Sequence, residues 1–458
     1  MTCARTLAED GWRVVVLSPG RAGRDGATHR VHALAPWVLL TAPWVRGDSP
    51  TRFLADLVER SDGMARDGLT EVLAVEAHPA ARRLAEELGL EPLSPDPELL
   101  PGDKTPRGMR FLPRDKRPLL APLLQACRGG AVTIRERTLA VALLSCDGRA
   151  AGVIALERGG ASSERVAADA VFLACGGGGA VFPVSTAPRW CRGSALALAG
   201  RAGVILHHPE NTQALPVTAT PPLYFPTSAA IARGRITIGG RQLAGAGSLE
   251  DTTVEIARAL LEGLEVFLEP SNGTSEELPE RVRESAAFRS FGRVPLTVAA
   301  HHGIGGVATD TWGRTSLPGL YACGEAAGGV QGRHRTMGTG LLEASIFARR
   351  AAEAARRDFN RDGPASGEAE VHALSCPSAP EMLERRMDSL MGPLVVLRQP
   401  AAVEAARSEL QAWPAARGLS DFRGALAALR REGALAVLAP GASDRGTSLA
   451  VATVSPGD

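Results

Sequence analysis

Four consecutive glycines after an apolar stretch are the first residues of this sequence whose type and spacing could do chemistry. They end the segment ADAVFLACGGGG, at Gly176–Gly179. Because glycine has no Cβ, the backbone there can approach a flat or phosphorylated ligand, and amides at the carboxyl end of a strand can face that ligand. A tight turn that binds nothing is the alternative interpretation.

A second group of candidate residues lies in HHGIGGVATDTWGRTSLPGLYACGEAAGGVQGRHRTMGTGLLEASIFARRAA, from His301 to Ala352. One of its apolar stretches ends at Gly324 and Glu325, and a long helix is predicted to begin near Gly340. A carboxylate at a strand end suits the hydroxyls of a ribityl or ribose chain, and a helix N-terminus suits the electron-rich edge of a cofactor. The alternative is a βαβ packing unit whose glutamate is simply exposed.

The elements that must position these residues alternate between strand and helix patterns. The apolar run before Gly176 has no polar alternation, which is typical of a parallel strand buried on both faces. A helix from Met1 leads into a valine-rich strand at residues 13–18, and two amphipathic helices are predicted over residues 51–90. The turn at Asp147 and Gly148 predicts a hairpin. These patterns favour an α/β fold.

Composition narrows the possible functions. The chain has 458 residues, 45% of them hydrophobic and 22% charged, which indicates a soluble globular protein of two or three domains. Its net charge of +1 favours neither nucleic acid nor an anionic membrane as a partner. Seven scattered cysteines without a CxxC pair, and the lack of a transmembrane stretch or a signal sequence, predict a cytoplasmic protein without structural zinc.

The glycine, histidine and glutamate motifs resemble a known family, the flavoproteins of fumarate reductase and succinate dehydrogenase together with L-aspartate oxidase. The family pattern HYxxGGVxxDxxGRTxxxGLYAxGExxxGxHGANRxxxNSLLE is matched with the same spacing over residues 301–343. The segments ADAVFLACGGGGAVFPVSTAP, GSALALAGRAG and ENTQALPVT resemble three further family segments, and LERRM with VVLRQ resembles its C-terminal helices. The resemblance is strong after Ala168 and weak before it.

The resemblance implies a doubly wound, Rossmann-like FAD-binding domain with an inserted α+β capping domain and a C-terminal helical region. The expected divisions are 1–203 and 294–360 for the FAD-binding domain, 204–293 for the capping domain, 376–430 for the helical domain and 431–458 for a loose tail. In the family, a first strand and a GxGxxG turn precede the helix that corresponds to CARTLAEDG. Neither is found in this sequence, so we expect either an upstream in-frame segment or a product that lacks its pyrophosphate anchor.

FAD is the implied cofactor, and its contacts are carried over from the matching motifs. Ser18 is expected near the adenosine ribose and Glu325 at the ribityl chain, while Gly340 and Leu341 would present backbone amides to the pyrimidine end of the flavin. The implied cofactor-binding residues are Ser18, Gly176, Gly177, Gly324, Glu325, Gly340 and Leu341.

The substrate side of the resemblance is less complete. His301 and Arg335 match a histidine and an arginine that clamp a carboxylate, a suitable pair for that group. Leu215 stands where the family has a second histidine, and Thr253 stands where it has a catalytic arginine. We therefore expect Arg235, or its neighbours Arg233 and Arg241, to replace that capping arginine.

The resulting prediction is an FAD-dependent oxidoreductase that moves a hydride between flavin N5 and a small carboxylate substrate. The alternative is an N-terminally truncated or catalytically degenerate homologue without turnover. A nicotinamide-dependent dehydrogenase is disfavoured because its glycine fingerprint is not visible. The electron acceptor stays open between oxygen, a quinone and a partner subunit. A covalent link from His29 or His32 to FAD is considered, but a surface-loop position is favoured for both.

Overall fold

The fold follows from alternating strands and amphipathic helices, as a computed structural model of the chain shows. It describes residues 1–34, 37–100, 103–114, 118–128, 130–160, 163–220, 223, 234–243, 249–270, 278, 280–363, 367–415 and 421–439. The helices are α1 (Thr2–Glu9), α2 (Ala27–Leu34), α3 (Pro50–Ser61), α4 (Leu69–Leu88), α5 (Ala121–Arg128), α6 (Ser194–Arg201), α7 (Leu249–Leu261), α8 (Glu280–Arg283), α9 (Ala286–Phe291), α10 (Gly340–Asp362), α11 (Pro380–Met391), α12 (Pro400–Ala412) and α13 (Phe422–Val437). The predicted helix after Met1 and the two helices between residues 51 and 90 are confirmed.

The strands build several small sheets around these helices. The first ten are β1 (Val14–Ser18), β2 (Val38–Thr41), β3 (Leu90–Pro92), β4 (Gly108–Pro113), β5 (Val132–Glu136), β6 (Thr138–Cys146), β7 (Arg149–Glu157), β8 (Ser163–Ala167), β9 (Val171–Leu173) and β10 (Leu206–His207). The others are β11 (Thr212–Thr218), β12 (Gly234–Ile238), β13 (Arg241–Gln242), β14 (Val266–Pro270), β15 (Val294–Gly303), β16 (Gly306–Ala308), β17 (Leu320–Ala322), β18 (Ala327–Gly328) and β19 (Glu370–Ala373).

Two parallel strand pairs carry the segments with the candidate glycines. β1 pairs with β5, and β9 pairs with β17, both in parallel. Val171 and Leu173 of β9 are less than 9% exposed, as the absence of polar alternation predicts. The structure therefore confirms a parallel, buried strand before the glycines.

A four-stranded antiparallel sheet, in the order β19-β6-β7-β8, covers one face of the parallel strands. Its central hairpin turns at Asp147 and Gly148, whose φ angles of 51° and 71° are those of a two-residue turn of type I′. This confirms the predicted hairpin. On the other face, Cys3 and Leu7 of α1 pack with Leu342 and Ile346 of α10 in one apolar cluster.

A separate five-stranded sheet follows the order β11-β15-β14-β12-β13, with Ile256 of α7 in its core. β15 begins at Val294, so this sheet continues past residue 293, the predicted end of the capping domain. A three-stranded sheet has the order β10-β16-β18. In the chain, β16 follows β15 of the five-stranded sheet, and β18 follows β17 of the parallel pair.

The C-terminal helices α11, α12 and α13 pack together through Leu383, Leu410 and Ala434. The predicted loose tail at 431–458 is wrong at its start, because α13 continues to Val437. Apolar residues spaced along that helix pack against α11 and so extend it. The rest of the predicted tail, from residue 440, lies outside the described residues. Among the described helices, none combines the length and the apolar character needed to span a membrane.

Candidate active site

A cavity of about 1880 Å³ lies where the parallel strands, the five-stranded sheet and α10 meet. The carboxyl ends of parallel strands open at one edge of a sheet, which is where α/β folds bind their ligands. Most of the sequence-predicted site residues line this cavity together. They are Ser18, Gly176, His301, Gly324, Glu325, Arg335, Gly340 and Leu341.

Close approaches explain the glycines at the end of β9. Gly176 has a φ of +77°, which side chains rarely adopt, and its added Cβ would lie 3.2 Å from Cys191 Sγ. A Cβ on Gly177 would lie only 2.3 Å from Glu325 Oε1. Gly177 is not among the residues that line the cavity. Its place in the structure is behind the glutamate, where it leaves room for the carboxylate.

The carboxylate of Glu325 is buried at the centre of this group. It accepts a hydrogen bond from the Gly303 N–H at 2.9 Å, and its Oε2 lies 3.4 Å from Nδ1 of His302. Burial raises the pKa of Glu325 to about 7, although the Gly303 N–H acts in the opposite direction. The side chain can therefore exist both as a carboxylate and as a carboxylic acid near neutral pH.

The N-terminus of α10 opens into the cavity at Gly340 and Leu341. No side chain caps this helix: the Thr339 hydroxyl accepts from Gln331 Nε2 at 3.0 Å and donates to the Thr336 carbonyl at 2.7 Å. The first amides of a helix have no partner within the helix, and the helix dipole adds partial positive charge there. This end of α10 therefore favours an electron-rich ligand group.

Arg335 brings a buried positive charge to the same place. Its Nη1 donates to Gln213 Oε1 at 3.2 Å, while its Nε is buried without a hydrogen-bond partner. No ion pair of Arg335 occurs within the part of the chain that the structure describes. Burial lowers its pKa, with Glu343 and Glu325 opposing that change, but a guanidinium stays charged in proteins. A buried cation held by a neutral amide is suited to bind an anion.

Two neutral histidines stand beside this cation. His301 Nδ1 lies 2.9 Å from the Thr186 hydroxyl, and both His301 and His302 line the cavity. Burial, with the Arg335 charge as a second cause, lowers the pKa of His301 to about 3. The same causes keep the pKa of His302 well below its ordinary value. The imidazoles can therefore exchange hydrogen bonds with a ligand without adding charge.

Comparison with known proteins decides the family. The FAD binding domain family matches residues 1–341 of this chain. The chain belongs to that family. This membership confirms FAD as the cofactor and an oxidoreductase as the class of protein.

Individual members of the family are similar over different lengths. The L-aspartate oxidase of Caulobacter vibrioides is 31% identical over 407 residues, which cover 76% of this chain and 77% of that enzyme. A fumarate reductase (CoM/CoB) chain of Methanothermobacter marburgensis is 30% identical over 249 residues, 49% of this chain and 45% of that relative. Both relatives are enzymes of the predicted kind, and the match spans less than half of the second.

A solved structure supports the fold. A chain of quinol-fumarate reductase with menaquinol molecules superposes with a TM-score of 0.77, covering 95% of this chain and 86% of its own length at 17% identity. The mixed helix and sheet architecture of this FAD-binding chain is therefore that of fumarate reductase flavoproteins.

The structure does not bring Arg235 into the cavity of this FAD-binding chain. Arg235 lies on β12 and pairs with Glu269 of the neighbouring β14 at 3.1 Å. Its expected replacement role is not supported, because Arg235 and Glu269 are directly opposite each other on neighbouring strands and their side chains pair there. Arg241 is exposed on β13, and Arg233 lies outside the described residues.

The two positions that depart from the family pattern lie close to Arg335. Leu215 on β11 lines the large cavity and is 9% exposed. Thr253 is fully buried, and its hydroxyl donates to the Leu249 carbonyl at 2.7 Å. Thr253 and Leu215 also line a smaller neighbouring cavity together with Gln213 and Arg335. An apolar and a neutral side chain thus occupy both positions.

Sequence reasoning missed three residues that support the site. Gln213 holds Arg335, His302 faces Glu325, and Thr186 holds His301. Each of the three lies within a segment that resembles the family, so these segments could have identified them as candidate site residues. The contacts themselves join residues more than a hundred positions apart in two of these pairs, and local spacing does not reveal them.

His29 and His32 belong to the helix α2, so the predicted position in a loop is wrong for both. The helix forms there because residues 27–34 contain no glycine or proline to interrupt it. Nδ1 of His29 is buried without a hydrogen-bond partner. The side chain of His32 lies outside the described residues.

Proposed function

We propose that this chain oxidises or reduces a small carboxylate substrate with FAD, and that Arg335 binds the carboxylate. The observation that carries the proposal is the buried guanidinium of Arg335, which lines the cavity beside two neutral histidines and has no ion pair among the described residues. A buried cation without a counter-charge costs free energy unless an anionic ligand compensates it.

The chain's own residues fit FAD. The glycine cradle at Gly176 and Gly324, both with positive φ, allows close approach of a ligand to the backbone. In the proposed arrangement, Ser18 binds the adenosine ribose, Glu325 the ribityl hydroxyls, and the amides of Gly340 and Leu341 the pyrimidine edge. Gly177 acts indirectly, by leaving space for Glu325. Bound FAD supplies two-electron chemistry, with hydride transfer at flavin N5 as the proposed form.

Substrate binding in this proposal depends on three neighbouring groups. Arg335 pairs with the carboxylate, Gln213 holds the guanidinium in place, and His301 offers a neutral imidazole fixed by Thr186. Leu215 presents an apolar surface at the next position on the cavity wall. These contacts support one tightly bound carboxylate, and they leave the second half of the substrate against apolar and neutral side chains.

The sheets indicate which parts of the chain bind the cofactor and which form the capping region. We propose that residues 1–203 and the segment from residue 304 to 360 hold the cofactor in a doubly wound arrangement. The capping region then runs from residue 204 to Gly303, because β15 belongs to the five-stranded sheet. Residues 376–437 form the helical region. The electron acceptor is proposed to be oxygen, a quinone or a partner subunit.

The proposal predicts a yellow protein whose flavin absorbance near 450 nm, about the usual position for flavins, bleaches when a carboxylate substrate donates electrons. L-aspartate and succinate are tested as donors, and fumarate as an acceptor after reduction with dithionite. The variant Arg335→Gln should keep its flavin but raise the carboxylate Kd or KM roughly tenfold to a hundredfold, since a charge-assisted pair is lost. Arg423→Ala, which removes an exposed arginine paired with Glu381, is the matched control.

Three outcomes would contradict the proposal in different ways. Protein that stays colourless after incubation with FAD would favour a homologue without turnover. A yellow protein that none of the carboxylates bleaches or reoxidises would remove the substrate class. Unchanged carboxylate affinity in the Arg335→Gln variant would remove the assigned clamp.

A further inference from the structure

The capping region contributes one wall of the large cavity. Besides the two neutral histidines of β15, the described residues of that region that line the cavity are Leu215, Pro216, Leu249, Val282 and Glu280. Four of these five side chains are apolar, and the fifth is acidic. Within the described residues, the capping region therefore brings no cation to the cavity.

The apolar part of this wall reaches the substrate-binding cation. Leu215 and Leu249 line both the large cavity and the small neighbouring cavity that Arg335 borders. Leu215 lies on β11, two residues after Gln213, whose side-chain oxygen accepts from the guanidinium at 3.2 Å. Leu249 begins α7, and one turn later the hydroxyl of Thr253 donates to the Leu249 carbonyl, so its proton is used within the helix. The surface next to the guanidinium is thus mainly apolar.

The other arginines that line the two cavities lie elsewhere or already have an acidic partner. Arg13 and Arg21 flank β1, and Arg110 lies on β4. Arg21 and Arg110 each form an ion pair with a nearby acid, whereas Arg13 is exposed before the amino end of β1. Arg333, which lines the small cavity, pairs with Asp62 at 3.1 Å. Among the described arginines, Arg335 alone combines burial, a place beside the apolar wall and the lack of an ion pair.

One buried cation can compensate one buried anion. A second carboxylate placed against Leu215 and Leu249 would lose its hydration without gaining hydrogen-bond donors or an opposite charge, which is unfavourable. A methyl group in the same position would be favoured, because its burial removes apolar surface from water. Glu280, the acidic residue of the wall, adds no attraction for a second anion.

We propose that the substrate of this site is a monocarboxylic acid whose remainder is apolar, with its carboxylate on Arg335 and its apolar end against Leu215 and Leu249. This inference rests on the proposed function, in which Arg335 binds the substrate carboxylate, and it adds the chemical class of the rest of the molecule. Selectivity against dicarboxylates comes from the desolvation of their second carboxylate, since both kinds of ligand share the first.

The test compares two matched ligands on the full chain loaded with FAD. Crotonate is fumarate with one carboxylate replaced by a methyl group, so the pair differs only at the end that faces the apolar wall. Binding to the oxidised protein is measured from the change in the flavin absorption spectrum and by isothermal titration calorimetry, neither of which needs turnover. We expect the Kd of crotonate to be at least tenfold lower than that of fumarate.

A variant of the wall provides a second measurement. Leu215→His replaces the leucine by an imidazole of similar size that adds a hydrogen-bond donor beside Arg335. It should lower the Kd of fumarate relative to that of crotonate at least fivefold. Leu261→His is the matched control, because Leu261 is 53% exposed at the end of α7 and lines neither cavity, and it should leave the ratio unchanged.

The outcomes separate this inference from the proposed function. Fumarate that binds the wild type as tightly as crotonate, or more tightly, would overturn the substrate class, whether or not Leu215→His folds. If both ligands then bind Arg335→Gln at least tenfold more weakly, the carboxylate clamp stands and the monocarboxylate inference alone falls. FAD-loaded wild type that binds neither ligand would overturn the clamp and the inference together. A ratio that Leu215→His leaves unchanged would remove Leu215 from the binding surface.

Discussion

At the residue scale, burial acts differently on the four ionisable groups around the substrate position. Desolvation disfavours charge, so Glu325 moves toward its acid form and His301 and His302 toward their neutral forms. Arg335 cannot release its proton at accessible pH and keeps its charge. Arg335 is therefore the one of these four groups that is fully charged at neutral pH, and the site favours an anion.

Glu325 provides a prediction about pH. Its folded-state pKa of about 7 lies above the ordinary value of 4.5, so the folded protein binds more protons than the unfolded chain between those two values. Its contribution to the free energy of unfolding is fully present below pH 4.5 and is lost as pH rises through 7. The change amounts to at most about 3 kcal/mol from the size of that shift.

The variant Glu325→Gln should therefore gain stability relative to the wild type between pH 4.5 and about 7.5. Urea unfolding of the cofactor-free proteins at pH 5 and pH 8 measures this difference. The pKa of His301 is lowered to about 3, so its contribution to the free energy of unfolding rises with pH between 3 and 6.5. Both proteins contain His301, so this contribution cancels in the difference between them. A constant difference between the two proteins at both pH values would contradict the buried-acid assignment.

At the element scale, the first turn of α10 controls where Arg335 can lie. A Cβ added to Gly340 would lie 2.6 Å from Nη2 of Arg335 and 3.5 Å from Cε1 of His302. The side chain of Arg335 is flexible, so the helix can accept a methyl group by moving the guanidinium. Glycine at the start of α10 thus preserves the position of the cation.

Gly340→Ala should therefore weaken carboxylate binding about fivefold or more while leaving the unfolding temperature nearly unchanged. The matched control is Gly200→Ala in α6, where an added Cβ meets only Leu206 at 3.9 Å. That substitution should be neutral or stabilise by up to about 1 kcal/mol, as glycine is a poor helix former. Equal carboxylate affinity in Gly340→Ala and wild type would mean that the guanidinium does not occupy the binding position.

The sequence predicts elements better than it predicts contacts between them. β9 and the turn at Asp147 and Gly148 are determined by local patterns, a run without polar residues and a two-residue turn signal, and both are confirmed. Local spacing does not reveal that Arg235 pairs with Glu269, because that partner comes from another strand 34 positions away. The extension of α13 to Val437 depends on tertiary packing, which helix periodicity alone does not specify.

At the scale of the whole molecule, one side chain contacts two parts of the chain that both border the site. Nη2 of Arg60, on α3, lies 3.5 Å from Glu250 of α7 and 3.4 Å from the backbone carbonyl of Arg335. One guanidinium therefore connects the five-stranded sheet, through α7, with the loop that carries the substrate-binding cation. Burial raises the pKa of the nearby Asp103 to about 6, with Arg60 acting in the opposite direction.

Loss of this connection should loosen α7 from α3 and make the carboxylate site less well ordered. In the variant Glu250→Gln we expect amide exchange across α7 to become about threefold to tenfold faster, and the carboxylate KM to rise by a similar factor. These factors correspond to a partly exposed ion pair worth about 1 kcal/mol. Glu255→Gln is the control on the same helix, since Glu255 pairs locally with Arg258 at 2.9 Å. If both variants exchanged and bound alike, Arg60 and Glu250 would not couple the two parts of the molecule, and the carboxylate site would be ordered by α10 and β11 alone.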